Sequence, residues 1–214
     1  QPRTSTVTTG ALNSGFHLLG NPYSQSLDIS ALNLSEQGFQ TTVQVWDASE
    51  GSYNSVTQYG TANDLIGPYQ GFFVERISGS NPLTIDADGR RADPVSLKTL
   101  EKGPPRISFQ IVGRSGDGEV MTRDEALTLH APEGATMGWD VHDASKLAPL
   151  SGRYATAAFR NTTNSETRLQ SVASIPANLP EEGIELPVSL QLQGTDPVET
   201  FRLSWPTWQN VPDH

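Results

Sequence analysis

The feature that most constrains this chain is how often its apolar patterning is interrupted. Its 19 glycines and 15 prolines are scattered along 214 residues rather than clustered. A helix needs several uninterrupted turns to form, whereas a strand of five or six residues fits between two such breaks. The stretches between breaks carry the strand period. Thr42-Val43-Gln44-Val45-Trp46 alternates, with Val43 and Val45 on one face and Trp46 on the other. Arg106-Ile107-Ser108-Phe109-Gln110-Ile111-Val112 alternates too, with Ile107, Phe109 and Ile111 inward. Gly71-Phe72-Phe73-Val74-Glu75 is a continuous apolar run, as in a strand covered on both sides.

The longest stretch free of Gly and Pro, Arg153 to Ile175, is the natural place to seek a helix. Its centre, Asn161-Thr162-Thr163-Asn164-Ser165, is turn chemistry, because short polar side chains compete for backbone hydrogen bonds. Its flanks, Tyr154 to Phe159 and Arg168 to Ile175, therefore read as the two arms of a hairpin. Helical turns are expected only at Ser30 to Gln37 and Asp143 to Leu147. The fold class that follows is all-β. Two tandem β-sandwich-like domains are expected, 1–97 and 98–214, with the boundary in Ala92 to Pro105, where Asp93-Pro94 and Gly103-Pro104-Pro105 bracket a linker. One continuous sandwich with a long crossover is the alternative.

Composition narrows the function. A formal charge of -10 opposes binding to phosphate backbones or anionic lipid, so no nucleic-acid partner is expected. No apolar stretch approaches the roughly 18 residues of a membrane span, so no membrane insertion is expected. The chain has no cysteine, which removes disulfides, thiolate metal sites and cysteine nucleophiles. It opens at Gln1 without a methionine and reads as a mature or excised piece of something longer.

Phe16-His17-Leu18-Leu19-Gly20-Asn21-Pro22-Tyr23-Ser24, with Asp28 after it, resembles a strand and turn common in exported proteins of Bacteroidetes and related bacteria. The family pattern is GW-x-L-V-G-N-P-Y-P-S, so Phe16-His17 stands where Gly-Trp is usual. The likeness continues through Gly10 to Gly15 upstream, Val45-Trp46-Asp47, Tyr53, and Ile66-Gly67-Pro68-Tyr69-Gln70-Gly71-Phe72-Phe73-Val74, which is similar to I-x-P-x-Q-G-F-F-V. Ala135-Thr136-Met137-Gly138-Trp139-Asp140 and Asp143-Ala144-Ser145-Lys146-Leu147 resemble a region that often follows. Such modules usually precede a sorting domain of the type IX secretion system. The resemblance implies a secreted or outer-surface location, a structural or adhesion role, and other domains of the same polypeptide as partners. It brings no catalytic residue.

The residues themselves support no active site. His17 lies in a strand beside the core and reads as packed; the remaining histidines are His130, His142 and His214. Gly113-Arg114-Ser115-Gly116 is one residue short of a nucleophile elbow and sits in a hairpin turn. Asp86-Ala87-Asp88-Gly89 with Asp93 downstream resembles half of a calcium loop, but it lacks a glutamate at the proper distance and contains Arg90-Arg91. A surface turn and no cofactor are expected there, with calcium held by Asp86, Asp88 and Asp93 as the alternative. The Asp117-Gly118-Glu119 loop makes a weaker case. Asp140 and Asp143 flank His142, a trio that suits a metal or, preferably, a turn held by carboxylate-to-backbone bonds. Trp46, Tyr53, Tyr59 and Tyr69 are the rings on which a glycan or surface polymer would stack, if they are exposed rather than packed. No catalytic, cofactor-binding or metal-binding residue is assigned. The expected function is a non-catalytic structural or adhesion module, with a carbohydrate-binding accessory module of a secreted hydrolase as the alternative.

Overall fold

The computed structural model describes residues 6–48, 51–58, 65–91, 104–163, 166–178, 183–194 and 198–209. Those residues form sixteen strands and two short 3-10 turns, and no α-helix is present among them. The fold is all-β and sandwich-like. The chain divides into two compact units, the first taking 1–45 with 56–103 and the second 46–55 with 104–214. The expected boundary stretch lies, from 92 to 103, outside the described residues.

The first nine strands are short. They are β1 (Val7–Ala11), β2 (Gly15–Gly20), β3 (Ser26–Asp28), β4 (Thr42–Asp47), β5 (Ser52–Thr57), β6 (Leu65–Ile66), β7 (Gly71–Arg76), β8 (Pro82–Ile85) and β9 (Arg90–Arg91). They assemble as three small sheets, β2-β7-β4-β5, β1-β8 and β6-β3-β9. Val43 and Val45 face inward as the alternation requires, joining Phe39, Phe72, Val74 and Leu83 in the first core. Burying a ring such as Phe72 contributes about 2–3 kcal/mol. The run Phe72-Phe73-Val74 does not have two covered faces. Phe72 and Val74 are buried, whereas Phe73 is half-buried and Gly71 exposed, so this strand alternates like its neighbours.

The first unit also buries a cation. Arg76 ends β7 with 1% of its surface exposed. Its guanidinium donates to the carbonyls of Gln37 (3.1 Å), Ser78 (2.8 Å) and Asn81, and stacks 3.9 Å over the Phe39 ring. Three loop carbonyls that no ladder reaches are satisfied by one side chain. Gly38 makes that approach possible. It sits at φ +82°, and a Cβ there would meet the Ser78 carbonyl oxygen at 2.5 Å.

The second unit carries seven longer or later strands: β10 (Arg106–Arg114), β11 (Val120–His130), β12 (Ala144–Ser145), β13 (Tyr154–Thr163), β14 (Glu166–Ser174), β15 (Val188–Gln193) and β16 (Thr200–Gln209). Their order is β15-β13-β14-β11-β10-β16, with β12 added to β14. The β13–β14 pair forms a hairpin, in register from Phe159↔Gln170 to Thr163↔Glu166, but the expected arms are corrected: Asn161–Thr163 continue the strand rather than turn, and Tyr154–Ala158 pair with β15, which supplies the ladder the second arm was expected to give. Further along, β14 leaves β13 and runs parallel to β11 at Thr128↔Val172 through His130↔Ser174. Phe109 on β10 and Phe159 on β13 meet edge-on at 5.8 Å. Two strands separate them in the ladder order, which in a flat sheet would place them roughly 14 Å apart. The sheet is therefore curled around the second core, which includes Ile111, Leu127, Ala157 and Phe159.

Of the two expected helical turns, the first is partly matched by a 3-10 turn at Ile29–Leu32, capped by the Asp28 carboxylate on the Ser30 amide. The second is corrected: Ala144–Ser145 is a strand pairing with β14. Its backbone is drawn into the sheet edge, where ladder bonds replace a lone helical turn. Arg76→Met should lower the stability of the first unit by about 3 kcal/mol or more, read by urea denaturation, because it orphans the carbonyls of Gln37, Ser78 and Asn81.

Candidate functional site

Three polar clusters gather the residues with the most chemistry. The first joins the two sequence motifs of the first unit. The Asn21 carboxamide donates to the carbonyls of Gln25 (2.8 Å), Gly67 (2.9 Å) and Ile66 (3.2 Å), while its oxygen accepts from the Tyr23 amide (3.0 Å). Gln70 returns the tie, its side-chain oxygen accepting from the Gly67 amide at 2.8 Å and its carbonyl from the Asn21 amide at 3.0 Å. The buried Tyr23 hydroxyl donates to the Ile85 carbonyl. Segments some 45 residues apart in sequence are thus held through backbone groups. Tyr69, between them, adopts φ +57° and is 68% exposed.

The second cluster is the Asp140–His142–Asp143 trio with two residues the sequence did not connect to it, His130 and Ser174. Asp140 accepts from the His142 amide (2.9 Å), the Thr136 amide (2.8 Å) and the Thr136 hydroxyl (3.0 Å). Asp143 accepts from the amides of Asp140 (2.8 Å) and Ser174 (2.8 Å). The Ser174 hydroxyl lies 3.2 Å from both carboxylates. The turn held by carboxylate-to-backbone bonds is what forms. His130 is buried, with Nε2 against the His142 carbonyl at 2.9 Å. Burial holds its imidazole down at about 4. Burial also pushes Asp143 up to about 7, outweighing the donors that favour its ionised form.

The third cluster has no counterpart in the sequence reading. Lys146 Nζ lies 2.9 and 2.8 Å from the two carboxylate oxygens of Asp124, and both side chains are almost fully buried. Asp124 also accepts from the Thr156 hydroxyl and from the Ala157 amide at 2.9 Å. Ala157 belongs to β13, whose pairing with β14 begins two residues later at Phe159. The carboxylate thus takes a backbone donor that the ladder leaves open. Burial pulls the Lys146 ammonium below the ordinary lysine value, against the pull of the adjacent carboxylate.

The acidic loops do not converge. Asp86 caps the 3-10 turn Ala87–Gly89 through the Asp88 amide at 2.9 Å, and Asp88 is exposed. Among the described residues no group of three or more His, Cys, Asp or Glu side chains is placed to hold a metal ion, and Asp93 lies outside them. Asp117 accepts from the Ser115 hydroxyl and the Glu119 amide within its own turn. His17 Nε2 lies 2.6 Å from the Asn13 carbonyl.

The rings proposed for stacking divide. Tyr53 is buried and meets half-buried Trp46 edge-on at 5.0 Å, so this pair is packed rather than presented to a sugar. Tyr59 lies outside the described residues. Tyr69, the fourth of them, is exposed, and the other exposed rings among the described residues are Phe16, Trp205 and Trp208. No helix among the described residues is long and apolar enough to cross a membrane. Comparison with known protein families, curated protein sequences and solved structures finds no match in any of the three.

Two outcomes follow from the buried clusters. His130, depressed from 6.5 to about 4, contributes stability present above pH 6.5 and lost as pH falls through 4. Asp143, raised from 3.8 to about 7, contributes stability present below pH 3.8 and lost as pH rises through 7. Between pH 4.5 and 6.5 the two slopes oppose. The unfolding free energy of Asp143→Asn, from urea denaturation, should therefore rise with pH relative to that of His130→Gln, by about 4–5 kcal/mol across that window, roughly half from each group. Separately, Lys146→Met should cost about 3–5 kcal/mol, and Lys146→Met with Asp124→Leu should cost less than the single change, because the single change strands a buried carboxylate.

Proposed function

We propose that this chain is a non-catalytic structural or adhesion module of a larger secreted or cell-surface bacterial protein, built as two sandwich-like domains in tandem along the sequence. The observation that carries the reading is where the polar side chains go. Asn21, Asp140, Asp143 and Asp124 each accept from or donate to backbone groups, and the carboxylates also bond the side chains of Thr136, Ser174, Thr156 and Lys146. A nucleophile or general base must keep a lone pair or proton aimed at a substrate. These groups instead brace turns and strand ends. The motifs that resemble those of exported Bacteroidetes proteins fall on such braces, and export by the type IX route belongs to the same proposal.

A second reading, a carbohydrate-binding accessory module of a secreted hydrolase, draws on the exposed Tyr69, Trp205 and Trp208 rings. Antibodies against the chain should label intact cells or culture supernatant of the source bacterium without lysis; signal only after lysis would refute the surface assignment. On a glycan array and a hydrolase substrate panel, the structural reading expects no turnover. Turnover abolished by one point substitution would overturn it, and glycan binding lost in Trp205→Ala with Trp208→Ala would favour the accessory module.

A further inference from the structure

The Lys146–Asp124 pair holds an amine nitrogen against a carboxyl carbon away from water. Asp124 lies on β11, opposite Ile111 of β10, and Lys146 follows β12, where its amide donates to the Leu169 carbonyl of β14 at 2.8 Å. The sheet thus fixes both backbones, and the side chains meet with 5% and 2% of their surfaces exposed. Nζ stands 2.9 Å from Oδ1 and 2.8 Å from Oδ2. Near-equal distances centre it on Cγ rather than on either oxygen. Two reacting groups held in this way need no further encounter.

The surroundings of the carboxylate are asymmetric. The Thr156 hydroxyl and the Ala157 amide both donate to Oδ2. Two fixed donors on one oxygen stabilise the negative charge that gathers there when a nucleophile adds to Cγ, and Oδ1 is then the oxygen placed to depart. Burial acts in the same direction. It draws the Lys146 ammonium toward the free amine, which is the nucleophilic form. A neutral amide would also relieve the interior of two charges.

We propose that Lys146 and Asp124 condense in the folded chain to an isopeptide bond between Nζ and Cγ. The ammonium first passes a proton to Oδ1, leaving an amine and a carboxylic acid. The Nζ lone pair adds to Cγ, and the carbonyl electron pair moves onto Oδ2, where Thr156 and Ala157 hold it. Nζ then gives a second proton to Oδ1. The Cγ–Oδ1 bond breaks, its electron pair leaves with the oxygen as water, and the carbonyl re-forms at Oδ2. Ammonium and carboxylate become one secondary amide and one water, with no oxidant, reductant or co-reactant. The buried ion pair is the state before closure.

The bond would close the segment between two residues 22 apart in sequence, which carries the Asp140 and Asp143 turn. Such a crosslink removes open states from the unfolded chain, as a disulfide would, in a chain that has no cysteine. This inference is independent of the functional proposal above.

Intact mass spectrometry on the whole chain, incubated folded at neutral pH and then denatured, tests it. The expected mass is that of the sequence less one water. Trypsin locates the loss. No Lys or Arg lies between Asp124 and Lys146, so closure blocks cleavage after Lys146 and yields a peptide spanning 124–153, one water light. Cutting that peptide after Glu133 should leave its halves joined, which dehydration within a single residue would not do. Lys146→Arg keeps the positive charge without a nucleophilic amine, and its chain should carry the full sequence mass. The full mass in the unsubstituted folded chain overturns the proposal. So does a water loss that maps outside this peptide, halves that separate after cleavage, or the same loss in Lys146→Arg.

Discussion

The constraint on which the rest of this structure depends is the need to pair every buried backbone N–H and C=O, including those of loops and strand ends that no ladder reaches. A strand of three to six residues satisfies its own groups and leaves those of the adjoining loops open. Here side chains close the account. Arg76 answers three loop carbonyls, Asn21 three more and one amide, Asp140 and Asp143 four amides between them, and Asp124 one strand amide. Each is a residue type that elsewhere binds ligands or does chemistry. In this molecule each has at least one bond to the main chain, and Asp124 adds Lys146 and Thr156 to it.

That use explains the arrangement of both units. In the first, the Asn21 and Gln70 ties bind the turn after β2 to the loop before β7, so three small sheets enclose one core. In the second, Asp124 bridges β11 to β13 where no ladder joins them, and Asp143 bridges the 140–143 turn to the end of β14. The curl that brings Phe109 against Phe159 places a buried ion pair in the same interior. Removing one partner of such a pair costs more than the pair contributes, because the charge left behind has lost its water.

Much of this was legible in the sequence wherever the signal is local. Alternation over Thr42–Trp46 and Arg106–Val112 marked strands, the polar centre Asn161–Ser165 marked a hairpin, and Asp140 with Asp143 marked a carboxylate-held turn. What could not be read depends on distance. Lys146 and Asp124 are 22 residues apart and neither stands out where it lies. Arg76 looks like an ordinary polar strand end until Phe39 and three loop carbonyls surround it. Whether Tyr53 is presented to a sugar or packed is decided by its contact with Trp46, which the sequence does not show. The Ala144–Ser145 strand arises from a neighbour, β14, supplying ladder bonds to residues whose own preference is a turn.

Native-state hydrogen exchange measures most directly whether these polar side chains serve the backbone. The amides of Tyr23, Thr136, His142 and Ala157 each donate to a side-chain oxygen rather than to a carbonyl of a ladder. If those bonds hold the fold, the four amides exchange as slowly as ladder amides of the same unit, such as those of Val74 and Leu129. Exchange near the rate of an unprotected peptide at these positions would show that the side chains are free for other work, and would contradict the account.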